Sequence, residues 1–458
     1  MGEHGQPELL GPIKATRPPW GVPRVDPTAL GYIVEEYTLF GVAACYEVVA
    51  GQPGSNVEVK VTGTAPYHTR LLVIRPANPD RFNHTVLLNW QNVSGGFESF
   101  APSDGELYDG YAWVGVSAQE VGLYGPPVGM GARVDAKGLV DEDPERYGML
   151  RHPGDPGSFD IFADAARVVG PCRSTGVDPL AGLDVRHVIA VGGSQSAMRL
   201  VAYANTFHNL HRVVDGYALS AWEGRAPDLE DGPTSFGGAR TVIRDDIEVP
   251  FVVVNSEFEA LALHLAGAVD SKWIRYWEVA GAPHGVTRRR DLPNGRGWKP
   301  NTLHIKPIAE SAIRHVRRWV AEGRCAPSFP RIEFDGDRPP RIRRDAHGNA
   351  IGGVRLPELE APVAEYRGVA TGTGVPPLFG AARPFTDDEL NAMYPSRQLF
   401  EDRWQRAVDA LVASEALRPE DAQTMAGQMH QVRLPSDEPH SIGPREGGAL
   451  DDADEGWA

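Results

Sequence analysis

An alcohol is a poor nucleophile at neutral pH. A serine attacks a carbonyl only where a base lies within hydrogen-bond reach and N–H donors wait for the oxyanion. The chain offers such a serine in Gly192-Gly193-Ser194-Gln195-Ser196, which follows the apolar, β-type run His187-Val188-Ile189-Ala190-Val191 and precedes helix-forming residues 197–203. A strand, a G-x-S-x-G turn and a helix push the serine into the open at the carboxyl end of a sheet. Here the last glycine of the pattern is Ser196, still small enough for a tight turn. Alone, this turn is a weak signal, because small residues recur wherever a strand leads into a helix. The residues that follow give it weight.

Where this turn is catalytic, the partners come in the order serine, acid, histidine. Apolar residues 250–254 lead into Asn255-Ser256-Glu257-Phe258-Glu259, so Glu257 and Glu259 both stand where an acid should orient the imidazole. His284 follows the β-type residues 275–279 and the turn Gly281-Ala282-Pro283, where the base is expected. One oxyanion donor should be the backbone N–H of Gln195, next to the nucleophile. The second should come from the loop after an earlier strand. Asn92-Val93-Ser94-Gly95-Gly96 follows the apolar run 85–90 and nominates the N–H of Asn92 or Val93. The implied chemistry is acyl transfer through Ser194, with a carboxylic ester or lactone as small-molecule substrate and no cofactor or metal.

Those side chains need a frame, and the pattern supplies one of the α/β class. Residues 46–50 and 57–61 read as antiparallel strands at a sheet edge, and 70–75 as a further strand. Beyond them short apolar strands (85–90, 112–117, 187–191, 213–219, 250–254, 275–279) alternate with helical stretches. This is the signature of a mostly parallel central sheet with helices on both faces. Residues 158–169 form a helix with Ser158 as N-cap, and 303–323 an amphipathic one with Ile308, Ile313, Val316 and Val320 on one face. Residues 1–30 read as an N-terminal extension and 31–325 as the core. Cap-like insertions are expected at about 105–155 and 220–248, the second lying over the sheet edge. A loop-rich then helical C-terminal region spans 326–434, where Phe400, Trp404, Val408 and Leu411 make an apolar stripe best read as core. The acidic tail 435–458 is expected to be disordered.

Composition closes other routes. The 458 residues carry a net charge of −16 without a basic cluster, which argues against a nucleic-acid groove. The run Arg288-Arg289-Arg290 reads as a solvated loop. Three scattered cysteines, Cys45, Cys172 and Cys325, fit neither a disulfide framework nor a metal site and suggest simple packing in a reducing cytoplasm. His152, Asp155 and Asp160 match no zinc spacing and are better explained by capping and hydrogen bonding. Neither a P-loop nor G-x-G-x-x-G is present. No secretory or myristoylation signal and no membrane-spanning run is visible, so a cytoplasmic protein is expected. Oligomeric state is not legible.

The chain also resembles a known group, the bacterial and fungal alpha/beta hydrolase domain-containing proteins. The resemblance lies in Asn92-Val93-Ser94-Gly95-Gly96, Arg146-Tyr147-Gly148-Met149-Leu150 with His152-Pro153-Gly154-Asp155, and Phe159-Asp160-Ile161-Phe162. It continues through Gly193-Ser194-Gln195-Ser196, Trp277-Glu278-Val279-Ala280-Gly281 with His284, and Gly352-Gly353-Val354-Arg355-Leu356-Pro357. These segments cover about residues 85–400 in the expected order. The resemblance implies an α/β-hydrolase fold and a serine hydrolase with Ser194 as nucleophile and His284 as base. Ser196 is no departure within the family. Its paired acidic positions map to Glu257 and Glu259, with Glu259 favoured as lying further along the loop toward the histidine. Residues 352–357 are expected to help cover the pocket. The two insertions and the C-terminal helices should shape its acyl and alcohol sides. An acyltransferase using the same triad is the nearest alternative, and a non-catalytic binding or scaffold protein of this fold the more distant one.

Overall fold

Nine strands hydrogen-bond into one sheet: β1 (Glu8–Leu10), β2 (Tyr32–Ala50), β3 (Glu58–Pro76), β4 (Thr85–Trp90), β5 (Ala112–Val116), β6 (His187–Gly193), β7 (Gly216–Ser220), β8 (Phe251–Ser256) and β9 (Ile274–Val279). Their spatial order is β1-β2-β3-β5-β4-β6-β7-β8-β9. The first three strands are antiparallel to their neighbours, and the six from β5 to β9 run parallel. The computed structural model describes residues 6–51, 57–127, 130, 135–174, 176–229, 238–287, 297–336 and 340–437.

The parallel strands are buried on both faces, which is why they read as short apolar runs. Because successive side chains point to opposite faces, β8 splits its residues. Phe251 and Val253 join the core under helices α1 (Ser158–Val169) and α2 (Gln195–His211). Val252 and Val254 join the opposite core, into which α4 (Lys306–Glu322) packs; the shorter α3 (Glu257–Ala266) follows β8 directly. Gly216 on β7 permits the close approach of α4, since a Cβ there would lie 2.8 Å from Val316 Cγ1. Ile308 and Val316 are buried at this contact, with Ile313 and Val320 packed beside them as the period-3.6 pattern predicts. The C-terminal helices α5 (Asp387–Met393), α6 (Arg397–Ala413) and α7 (Pro419–Gly427) share that core, and Phe400, Trp404, Val408 and Leu411 lie buried in it.

Several expectations need correction. Residues 57–61 and 70–75 are not separate strands: 58–61 and 70–75 are parts of β3, which pairs along its length with β2. The polar stretch between them is largely exposed, so no buried face marks the strand in sequence. Ser158 does not cap α1. A 3-10 turn, Asp155–Gly157, runs directly into the helix, so Ser158 already has helical angles and its hydroxyl is buried. The described part of 220–248 lies along α2 rather than over the sheet edge: Ile243 and Ile247 are buried there, and Asn205 of α2 binds Val242 O and Arg244 N. Residues 326–384 are less loop-like than expected, with two antiparallel strand pairs, Phe334–Asp335 with Arg341–Ile342 and Ala364–Arg367 with Ala381–Pro384. Residues 352–357 do not cover the pocket. Val354 N–H donates to Glu278 O at 2.7 Å and Val354 O accepts from Ala280 N, so this segment covers the free edge of β9.

Cys172 and Cys325 are exposed and Cys45 is half-buried, so simple packing does not account for the first two. No helix among the described residues is long and apolar enough to cross a membrane. The run 288–290, residues 128–129, 131–134 and 230–237 of the two insertions, and residues 438–458 of the tail lie outside the described residues.

Candidate active site

Ser194 sits between the last residue of β6 and the first of α2, with φ 54° and ψ −119°. A side chain held at positive φ is strained, and the strain lifts Ser194 out of the line of the strand. Its neighbours clamp the turn. Ser194 N–H donates to Ser220 O at 2.9 Å on the adjacent strand. The hydroxyl of Ser196 accepts from Gly193 N–H at 3.0 Å and donates to Gly193 O at 2.9 Å. Ser196 thus does more than fit where the G-x-S-x-G pattern has glycine, because it ties the turn to its own backbone. Asn92 adds a second clamp, with its Nδ2 donating to the same Gly193 O at 2.9 Å.

His284 comes from the turn after β9 and is buried. Its Nε2 lies 2.9 Å from Ser194 Oγ, and its Nδ1 2.5 Å from Glu259 Oε1. Glu259 does not stand on a loop, as expected, but at the third position of α3. Its Oε2 there accepts from Ser256 N–H and Ser256 Oγ, each at 2.7 Å, in a capping box. A helix start therefore fixes the carboxylate while its free oxygen points at the imidazole. Burial works to raise the Glu259 carboxyl, but the hydrogen bond and charge of His284 and the two Ser256 donors hold it below the ordinary range. For His284, burial acts to depress basicity. The Glu259 bond and charge, helped by Glu223, overcome this and leave the imidazole more basic than usual.

Glu257 is turned elsewhere. Its Oε1 accepts from Arg344 at 2.6 Å and from Gly368 N–H at 3.1 Å, and its Oε2 accepts from Gly281 N–H at 2.9 Å. It joins the turn that carries His284 to the C-terminal region. Asn301 braces the same turn by donating to Gly281 O at 2.7 Å.

Gln195 is the first residue of α2, where an N–H has no intrahelical partner. Asn92 lines the cavity in front of Ser194, whereas Val93 N–H is directed at Gln195 Oε1, 3.4 Å away. Of the two loop residues nominated from sequence, the structure therefore brings Asn92 to the serine and not Val93.

The cavity has a volume of about 70 Å³. Phe100, Pro102 and Trp113 line it together with Ile305, Ala309 and Ile313 near the start of α4. Among the described residues its walls are thus the loop after β4, strand ends, the turns that carry Ser194 and His284, and α4. The expected contribution of the insertions reduces to the strand residue Trp113 and to Ser220 and Ala221 at the end of β7, and the C-terminal helices contribute nothing. Asp155 and Asp160 are bound by protein donors, Asp155 by Gln119, Glu120 N–H and Arg199, and Asp160 by Ala44 N–H and Tyr46. Among the described residues no group of three or more His, Cys, Asp or Glu is arranged to hold a metal ion.

Sequence reasoning missed Gln119, Glu223, Asn301 and the hydroxyl of Ser196. Each acts through a partner distant in sequence or through a local exchange of bonds, and apart from Ser196 none stands in a motif.

The comparison with curated proteins finds no match. Among solved structures, the chain is similar to fungal esterases from Rhizomucor miehei, with 14% identity over 62% of this chain and 85% of that one and a TM-score of 0.31. It is also similar to esterase Est22 (12% identity, 54% and 71% covered, TM-score 0.27) and to brefeldin A esterase (14%, 58% and 71%, TM-score 0.25). The family pattern of the alpha/beta hydrolase domain matches residues 9–427, so the chain belongs to the alpha/beta hydrolase domain family.

Proposed function

We propose that this protein hydrolyses a carboxylic ester or lactone through an acyl-enzyme. One observation carries the reading: Ser194 Oγ, His284 and Glu259 form an unbroken hydrogen-bonded line of 2.9 and 2.5 Å, and its serine end opens into a cavity. In the first step His284 Nε2 takes the proton of Ser194 Oγ as the oxygen bonds to the substrate carbonyl carbon. The carbonyl electron pair becomes an oxyanion facing the N–H groups of Gln195 and Asn92. As it collapses, the C–O bond to the alcohol breaks, and His284 returns the proton to the departing oxygen. Water then repeats the sequence against the acyl-serine: His284 takes its proton, the acid leaves, and Ser194 regains its hydrogen. In a lactone the alcohol and acid stay joined, so the product is one hydroxy acid. Glu259 keeps its charge throughout, fixing the Nδ1–H tautomer and stabilising the imidazolium.

The apolar wall beside Ser194 suits an acyl or alkoxy group. The test is turnover of p-nitrophenyl esters of increasing chain length and of simple lactones by wild type and Ser194→Ala, with fluorophosphonate labelling alongside. Turnover and labelling that both vanish in the variant are expected. A wild type that neither turns over nor labels would refute the proposal in favour of a scaffold. Labelling without hydrolysis, but with transfer to added alcohols, would make it an acyltransferase.

A further inference from the structure

Behind the nucleophile lies a chain of buried polar side chains that the mechanism above leaves unused. Gln195 Nε2 donates to Gln119 Oε1 at 2.7 Å, and the same oxygen accepts from Trp90 Nε1 at 3.0 Å. Gln119 Nε2 donates to Asp155 Oδ2 at 3.2 Å, which also accepts from Arg199 at 3.0 Å, one turn along α2 from Gln195. Gln119, Asp155, Gln195 and Arg199 are each at most 3% exposed. Gln119, on the loop after β5, is therefore the hub: it joins Trp90 of β4 to Gln195, the residue that follows the nucleophile, and reaches Arg199 of α2 through Asp155.

Its polarity is forced. An indole N–H can only donate and a carboxylate can only accept. Gln119 must then turn its oxygen to Trp90 and its NH₂ to Asp155. Gln195 can meet that oxygen only with its own NH₂, which leaves the Gln195 carbonyl facing the loop after β4. There it takes the N–H of Val93. The neighbouring Asn92 N–H has no acceptor among the described residues, and Asn92 is on the cavity wall.

We propose that the side chains of Gln195 and Gln119 are positioning residues for the oxyanion hole: they engage Val93 N–H and so present Asn92 N–H to the carbonyl oxygen at Ser194. The inference rests on the acyl-enzyme reading above and deepens it. Gln195 then serves twice, through its backbone N–H at the oxyanion and through its amide beneath the loop. Neither side chain touches substrate, so their loss should act on the transition state rather than on binding.

The variants are Gln195→Met and Gln119→Met, which keep length and remove the amides, and the double variant. Removing an oxyanion donor outright costs about 10²–10³ in kcat. A displaced donor should cost less, about 10- to 100-fold, with KM within about threefold. The specific readout is the preference for an oxo-ester over its thionoester, since a hole shaped for oxygen receives the larger sulfur poorly. That preference should fall about tenfold in each variant, and the double variant should be no worse than the worse single, because one line is cut in two places. Should a Met variant fail to fold, Trp90→Phe removes the donor that polarises Gln119, together with part of a buried ring on the cavity wall, and should lower the same preference by about threefold while KM holds. Unchanged kcat and unchanged oxo/thiono preference in folded variants would overturn the inference while Ser194-dependent hydrolysis stands. Wild type without turnover or labelling would overturn both.

Discussion

Replacing Glu259 by glutamine changes one oxygen to NH₂, yet the structure predicts a nearly silent enzyme. The carboxylate serves two sides: Oε2 accepts from Ser256 N–H and Oγ, and Oε1 accepts from His284 Nδ1–H. A glutamine has one acceptor. If its oxygen stays with Ser256, its NH₂ faces Nδ1, which must then be the bare nitrogen, and the ring proton moves to Nε2. Every group is satisfied, but Nε2 already carries a proton and cannot take one from Ser194. The flipped amide restores the productive tautomer and sets its NH₂ against the buried Ser256 N–H, at about 1–3 kcal/mol for each donor stripped of its acceptor. The unproductive form therefore dominates, and even the productive minority lacks the negative charge that stabilises the imidazolium. A loss of about 10⁴ in kcat is expected, about 5 kcal/mol in the barrier, as for the corresponding amide in a Ser-His-Asp triad. KM should hold, because Glu259 is not among the residues lining the cavity. The assay is steady-state hydrolysis of a short p-nitrophenyl ester with the phosphonate labelling rate measured in parallel. Glu257→Gln is the contrast: it weakens the Arg344 pair and should lower the unfolding temperature while kcat stays within about tenfold. A Glu259→Gln enzyme retaining more than about one-hundredth of wild-type kcat, or a Glu257→Gln enzyme falling as far, would refute the tautomer argument.

Because the base must be neutral to accept a proton, kcat/KM should rise with pH through the pKa of His284, which lies above the ordinary 6.5. Glu223→Gln removes one charge that raises it, so the acidic limb should move to lower pH; a limb that stays put or moves up would contradict this. Glu310 on α4 is buried and accepts from Glu106 N–H at 2.5 Å, and burial lifts its carboxyl to about 7 from 4.5. A folded-state pKa above the unfolded one means stability fully present at low pH and lost as pH rises through about 7, on the order of 3 kcal/mol. Urea unfolding between pH 5 and 8 should show this decline in wild type and a flatter profile in Glu310→Gln; parallel profiles would reject it.

Much of the fold was legible because its signals are local. Residues 187–196 carry their own strand, turn and helix start, and the runs at 85–90, 250–254 and 275–279 are apolar because both faces of the sheet are covered. The continuity of β3 was not legible, since its outer half has no buried side to set a period. Nor were the pocket walls. Ala309 and Ile313 meet Phe100 and Trp113 only because α4 docks on β7 across Gly216.

The amino-acid order by itself determined the candidate nucleophile, the base, their succession along the chain and the parallel sheet that carries them. It left two pairs open, and the tertiary structure directs the members of each pair differently. Glu257 and Glu259 begin a helix instead of a loop, and two residues along a helix turn the side chain by about 200°. Once α3 is packed, Glu259 faces His284 and Glu257 faces Arg344. Asn92 and Val93 are adjacent peptides, and a glutamine amide 102 residues away takes the N–H of Val93. Side-chain direction and long-range approach decide such matters, and neither is written in the spacing of residues.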